Sequence, residues 1–272
     1  MYMNQIETQY GIKVDVLEFR SLKDFYDYIC NTPINAAFRW KVHKSVEVNE
    51  YRTYFTGTRD FDEATTLFKD GYKEGAEKLS NVLKAEEAKV HPVYKRRTVY
   101  DVQGYMPCVP LYLNGIPNNM IATKNVKIKQ KVVVINKDIS YSAGVSKDKI
   151  IDESVKAFRI IRKLESQGYR CELNVVFGSY KFRRGFACRI RIKGADEKLN
   201  ISKAAFPLIH PSMLRRLMFR FMEVYPQVTS DFARDYGLPI GLETLKQIYS
   251  GTLLPKVIQM DIDKLRKVED IY

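Results

Sequence analysis

The chain has 272 residues, enough for one large domain or two small ones with ample core. Its 45% hydrophobic and 28% charged content is ordinary for a globular protein, but 45 Lys and Arg against 32 Asp and Glu leave a net charge of +13, which favours nucleic acid or an acidic protein surface as partner. No apolar run approaches the ~20 residues that cross a bilayer, the first residues lack the pattern of a signal peptide, and Cys30, Cys108, Cys171 and Cys188 are scattered without metal spacing, as in a reduced intracellular protein.

In chain order, residues 12–20 alternate through Val14, Val16 and Phe19 and predict a short strand. Ser21 suits the N-cap of a following helix, with Asp24 at its third position, Phe25, Tyr28 and Ile29 on its buried side, and Thr32-Pro33 as its stop. Residues 36–57 hold the single Trp40 and alternate well enough through Val46, Val48 and Tyr54 for one or two strands. Thr56 to Ala64 reads as a turn and a capped helix start; this helix closes at Gly71 and a second runs from about Gly75 to Lys89. Lys89 to Arg97 is basic, contains Pro92, and has the character of a surface linker. Between 98 and 120, Pro107, Pro110, Pro117, Gly104 and Gly115 exclude a long helix or a central strand, and the apolar residues among them predict an ordered segment packed onto the core.

The stretch 131–193 organises the rest. Lys131 to Asn136 is apolar on both alternating faces, which predicts a strand interior to its sheet with 171–178 beside it. A polar loop from Asp138 to Ser146 leads to a helix with Ile151, Val155, Phe158, Ile161 and Leu164 on one face, closed by Gly168. Cys171 to Phe177 and Phe186 to Lys193 then form two strands around a turn at Arg183-Arg184-Gly185, with Cys171 and Cys188 as small apolar residues inside them. Ser202 suits the cap of a short helix shaped by Pro207. Pro211 opens a longer one with Leu214, Leu217, Met218 and Phe221 inward and Arg215, Arg216 and Arg220 as a solvated basic face. A short helix near 241–249 and a last strand over Lys256 to Asp261 complete the chain.

Three stretches together carry a resemblance. Thr56-Gly57-Thr58-Arg59-Asp60-Phe61-Asp62-Glu63-Ala64 leads to Gly71-Tyr72-Lys73-Glu74-Gly75. Met106-Pro107-Cys108-Val109-Pro110 precedes Gly115-Ile116-Pro117-Asn118-Asn119-Met120. His210-Pro211-Ser212-Met213-Leu214-Arg215-Arg216-Leu217 is followed by Asp235-Tyr236-Gly237. Their order and spacing resemble an uncharacterised protein family of tailed bacteriophages, prophages and plasmids, over nearly the whole chain. That resemblance implies a phage or mobile-element origin and transfers no catalytic residue.

Two candidate sites follow from the residues. Asp138-x-Ser140-x-Ser142 after an interior strand resembles the metal-ion-dependent adhesion motif of von Willebrand factor A-type domains, which makes Asp138, Ser140 and Ser142 candidate oxygen ligands for Mg²⁺ or Mn²⁺. Against it stands a plain turn-and-cap reading, since Asp and Ser are common at strand ends. The second site is the hairpin carrying Lys181, Arg183, Arg184, Arg189, Arg191 and Lys193 with no acid among them, where alternation expects the last three on one outward face and Phe186 as a stacking surface. Its competing reading is edge protection against aggregation. Arg184-Gly185-Phe186-Ala187 also opens like the RNA-recognition-motif signature, but Cys188-Arg189-Ile190-Arg191 then lacks its stacking aromatic. Cys108 with His210 as nucleophile and base is a distant third, because no P-loop, dinucleotide-binding or oxyanion-hole pattern accompanies it.

The expected fold is α/β: a three-layer sandwich with a mostly parallel sheet and an antiparallel hairpin edge over 121–272, a mixed α/β part over 1–97, and a proline-rich packed connector over 98–120. The expected function is non-enzymatic binding of nucleic acid through the basic hairpin, by an accessory protein of a phage or mobile element in the host-cell cytoplasm. The alternative is a von Willebrand A-type protein-interaction module. No cofactor beyond the candidate Mg²⁺ or Mn²⁺ is expected, and the sequence leaves the oligomeric state open.

Overall fold

The computed structural model describes residues 2–8, 10–41, 43–48, 53–84, 94–127, 132–141, 145–166, 168–230, 232–250 and 257–260. The chain begins with β1 (Tyr2–Glu7), β2 (Lys13–Phe19), α1 (Leu22–Asn31), α2 (Thr53–Thr56), α3 (Phe61–Asp70) and α4 (Lys73–Lys84). A second set comprises β3 (Tyr94–Asp101), β4 (Met106–Pro107), α5 (Val109–Leu113) and β5 (Met120–Lys127). Then come β6 (Val132–Asp138), α6 (Lys147–Ser166), β7 (Arg170–Lys181), β8 (Arg184–Lys193) and α7 (Ile201–Ile209). A π-helix over Met213–Met218 runs into α8 (Phe219–Val224), followed by α9 (Phe232–Asp235), β9 (Leu238–Pro239), α10 (Leu242–Ser250) and β10 (Val257–Met260).

The main sheet has the order β1-β2-β8-β7-β6-β10, with β9 also paired to β7. Strand alternation assigns its faces. Leu17, Phe19, Val133, Ile135, Leu173, Val175, Phe177, Phe186, Cys188 and Ile190 join the large core, together with Phe25 of α1, Phe158 of α6, Phe206 of α7 and Phe221 of α8. Val14, Val16, Val176 and Ala187 point the other way, onto Leu245, Ile248 and Tyr249 of α10. This is why β6 carries an unbroken apolar run: it lies between β7 and β10, with buried residues on both of its faces. Cys171 and Cys188 are buried in β7 and β8, whereas Cys30 on α1 is exposed and Cys108 half-buried.

The class is α/β, as expected, but the sheet is mixed and not mostly parallel. β2–β8, β6–β7 and β6–β10 pair parallel, while β1–β2, β7–β8 and β7–β9 pair antiparallel. Parallel neighbours need a crossover of roughly a dozen residues, which α6 supplies between β6 and β7; the short β1–β2 and β7–β8 connections can only make hairpins. The β7–β8 hairpin is also not an edge. β2 covers β8 along Lys13–Phe19, and β6 covers β7.

Local capping follows the sequence closely. Ser21 accepts the Asp24 N–H at the start of α1, and Thr32 ends that helix. Asp60 accepts the Glu63 N–H at the start of α3, and Gly71 closes it with φ 91°, a left-handed value that glycine adopts without strain. Asn200, not Ser202, caps α7. Other expectations fail. The described part of 36–57 forms turns, a 3₁₀ turn at Ala36–Phe38 and α2, with no strand. Residues 94–97 of the expected linker begin β3, while 89–93 lie outside the described residues. The 98–120 segment does not pack onto the core. It belongs to a three-stranded sheet of order β3-β5-β4, in which no described side chain from 96 to 124 is buried.

Arg215 and Arg216 are buried, contrary to the solvated face expected for them. The π-helix changes the angular step between residues, so two adjacent arginines both reach inward. Arg216 donates to four backbone carbonyls, those of Ser45 (3.1 Å), Glu47 (2.5 Å), Thr58 (3.2 Å) and Arg59 (2.7 Å). Arg215 donates to the carbonyls of Phe55 and Val145 and stacks over the Phe55 ring at 4.0 Å. Glu223, fully buried about two turns along, accepts from the Ser45 N–H, the Ser45 hydroxyl and Tyr236 Oη. Together these groups tie Ser45, Glu47 and the 55–59 stretch to the core, mostly through backbone atoms.

Candidate nucleic-acid interface

The structure disperses the cations of the β7–β8 hairpin. Arg189 is nearly buried, paired with Glu18 at 2.6 Å and placed over the Tyr249 ring. Lys193 is buried, donating to the Cys171 carbonyl at 2.6 Å and pairing with Glu165 at 2.9 Å. Phe186 is a core residue between Phe177, Phe221, Tyr225 and Phe232, and offers no stacking surface. Lys181 is paired with Asp235 at 2.7 Å. Arg183, Arg184 and Arg191 remain exposed. Arg184 and Arg191 stand at opposite ends of β8, roughly 23 Å apart at ~3.3 Å per residue.

The expected common face of Arg189, Arg191 and Lys193 fails for an identifiable reason. Asn174 pairs with Arg191 but Leu173 pairs with Lys193, so β8 carries one extra residue at this step. Such a bulge reverses the alternation. Arg191 stays on the face of Asn174, while Lys193 turns over to the face of Leu173, against Glu165 of α6.

Arg191 nevertheless joins a different group of cations. Beyond the carboxyl ends of the parallel pair β2–β8 lies a cavity of about 560 Å³, the region of an α/β sheet where ligands commonly bind. Arg20 follows β2, Ser21, Leu22 and Lys23 are the first turn of α1, Lys69 ends α3, and Lys203 opens α7. The Arg191 Nε donates to the Arg20 carbonyl at 2.9 Å, which holds its guanidinium at the rim. Tyr26 and Phe68 form an aromatic wall, their rings stacked 5.8 Å apart at 20°. Lys69 lies 4.6 Å over the Tyr26 ring, and its hydrogen bond to Tyr26 holds the ammonium pKa above its ordinary value. Both acids of the lining are engaged, Asp27 with Lys23 at 2.7 Å and Glu197 with the Gly194 N–H at 2.9 Å. Lys23 offsets Asp27, and Arg20, Lys69, Arg191 and Lys203 outnumber the remaining charge of Glu197 and set the sign of the cavity.

A family model described as a domain of unknown function, DUF7192, matches residues 4–272. The chain belongs to this family. A search of curated proteins and a search of solved structures each return no significant match. The functional reading of this DUF7192 chain therefore rests on its own geometry.

At the second candidate site, Asp138 and Ser140 serve the backbone. Asp138 Oδ1 accepts the Ser140 N–H at 2.9 Å, and Ser140 Oγ accepts the Gly178 N–H at 2.9 Å, which ties the end of β6 to β7. Burial pushes the Asp138 carboxyl pKa up, opposed by the hydrogen bonds from Ser140. Ser142 lies outside the described residues. Two of the three candidate metal oxygens thus hold a turn, and among the described residues no group of three His, Cys, Asp or Glu is arranged to hold a metal ion. Next to this turn, fully buried Lys137 donates to Tyr141 Oη at 2.6 Å and to the Asp138 carbonyl at 3.2 Å, with Glu153 at 3.5 Å.

His210 is buried between Phe206, stacked at 4.9 Å, and Tyr72, edge-on at 4.7 Å, and its Nδ1 accepts the Ser212 N–H. Cys108 belongs to the small sheet, so the two expected partners of a nucleophile and base sit in different parts of the fold. Sequence reasoning missed Arg20, Lys23, Lys69 and Lys203 because they come from three separate segments; only the Ser21 cap signalled that a helix starts beside the first two.

Proposed function

We propose that the protein binds nucleic acid, without catalysing a reaction, through the cationic cavity at the carboxyl ends of β2 and β8. One observation carries this reading: Arg20, Lys69, Arg191 and Lys203 converge on one cavity whose wall is the Tyr26–Phe68 pair. Cations beside flat rings suit phosphates beside bases, the usual combination for single strands. The first turn of α1 adds the positive end of its helix dipole at the same place. The net charge of +13 supplies long-range attraction for the same polyanion. No described helix is long and apolar enough to cross a membrane. A phage or mobile-element origin and action in the host-cell cytoplasm belong to this reading, and finding the gene among replication genes would favour them.

The test is fluorescence anisotropy of labelled oligo(dT) across a salt series. Each phosphate contact contributes roughly −0.7 to the log–log salt slope for a single strand, so Lys69→Ala/Arg191→Ala/Lys203→Ala flattens it by about 2. Arg183→Ala/Arg184→Ala, at the far end of β8, leaves the slope unchanged. The reverse result moves the site to the hairpin tip, and a parent protein without salt-dependent binding removes the reading altogether.

A further inference from the structure

We infer that the β3–β5–β4 sheet is a docking platform for an acidic protein segment bearing aromatic or aliphatic side chains, separate from the nucleic-acid cavity. Within 17 residues this small sheet exposes Tyr100 (57%), Val102, Tyr105, Met106 (50%), Val109, Tyr112, Leu113 (76%) and Ile116. No described side chain from 96 to 124 is buried, so the module has no apolar core of its own. Three strands ordinarily need a covered apolar face to be stable, and apolar patches of this density mark interaction sites. The register puts the patch and a cation together: Tyr100 and Met106 both pair with Ile121, and Arg96 shares their face two alternations along β3.

Charge selects the occupant. Residues 94–127 carry Lys95, Arg96, Arg97, Lys124 and Lys127 against Asp101, and Asp101 is already paired with Lys124. A second copy of the chain would bring the same cations, and a net +13, against them. β3 pairs only with β5 among the described residues, which leaves its other edge open. Exposed Arg96 and Arg97 on that edge discourage pairing between copies and attract an acidic strand. Val102, Val109, Leu113 and Ile116 neither stack on bases nor bind phosphate, which favours a protein over a nucleic acid here.

The probe is a random copolymer of glutamate and tyrosine, with polyglutamate of equal length as the control for charge alone, measured on the full chain near physiological salt. Tyr100→Ala/Met106→Ala and, separately, Arg96→Glu each weaken copolymer binding at least tenfold, and the copolymer binds the parent more tightly than polyglutamate. All three side chains are half or more exposed or at the surface, so the melting temperature stays that of the parent. The cavity variant Lys69→Ala/Arg191→Ala/Lys203→Ala binds the copolymer like the parent, so loss of the nucleic-acid reading leaves this result standing. Three outcomes overturn the inference. Copolymer affinity is unchanged in both platform variants, or the platform variants lose oligo(dT) instead, or sedimentation shows a dimer that Tyr100→Ala/Met106→Ala dissolves.

Discussion

Arg216 and the cavity cations are the same kind of residue put to opposite uses. Arg216 is fully buried, and its two terminal nitrogens donate to four carbonyls between 45 and 59, leaving only Nε without a partner. Arg20, Lys69 and Lys203 are exposed at the rim of a cavity, on three segments that meet only in the folded chain. A cation whose hydrogen bonds are consumed internally is a structural part, whatever its neighbours in sequence suggest. The difference is one of unused bonding capacity, and a count of charges does not contain it.

The sharpest way to break this comparison is Arg216→Met. It orphans several buried carbonyls at about 1–3 kcal/mol for each one left without a partner, read from the midpoint of urea unfolding. A loss under about 1 kcal/mol would show that the 45–59 segment is held by other means. Lys137→Met/Glu153→Leu tests a third case, a buried cation with a carboxylate. Replacement of such a pair by apolar residues is neutral to about 1–4 kcal/mol stabilising at neutral pH. Burial lowers the Lys137 pKa from 10.5, against the attraction of Glu153 and Asp138. The unfolded chain therefore binds that proton more tightly, so the parent gains stability as pH rises through the window between the lowered value and 10.5. The advantage of the double variant shrinks over that window; a constant difference would contradict the lowered pKa. The smallest effect is expected for Lys69→Ala/Lys203→Ala, which removes exposed charge and shifts stability by no more than about 0.5 kcal/mol. A larger loss would make the cavity cations structural too.

Much of the fold was legible because local rules coincide with tertiary ones. The two-sided apolar run of 132–135 placed β6 inside its sheet, and Ser21, Asp60 and Gly71 marked helix ends where the structure has them. The strand directions were less legible, since they depend on which connections are hairpins. Val46, Val48 and Tyr54 alternate yet form no strand; Arg216 and Glu223 satisfy the backbone of Ser45 and Glu47 in place of a neighbouring strand, and Tyr54 lies in α2. The candidate interface was legible only at Arg191. One bulge sends Lys193 inward, the Glu18 pair takes Arg189, and the remaining cavity residues are distant in sequence.

The four thiols divide along the same line as the cations. Burial pushes the Cys171 thiol up to about 12 and the Cys188 thiol well above its ordinary value, so neither offers a thiolate at neutral pH. Cys30 is exposed on α1, hydrogen-bonded to Tyr26 of the cavity wall, and Cys108 follows directly after Met106-Pro107 on the small sheet. The natural chain thus carries one addressable sulfur beside each proposed surface and none in its core. A single maleimide dye on either position becomes a local reporter, able to tell which of the two surfaces a partner occupies without an engineered cysteine.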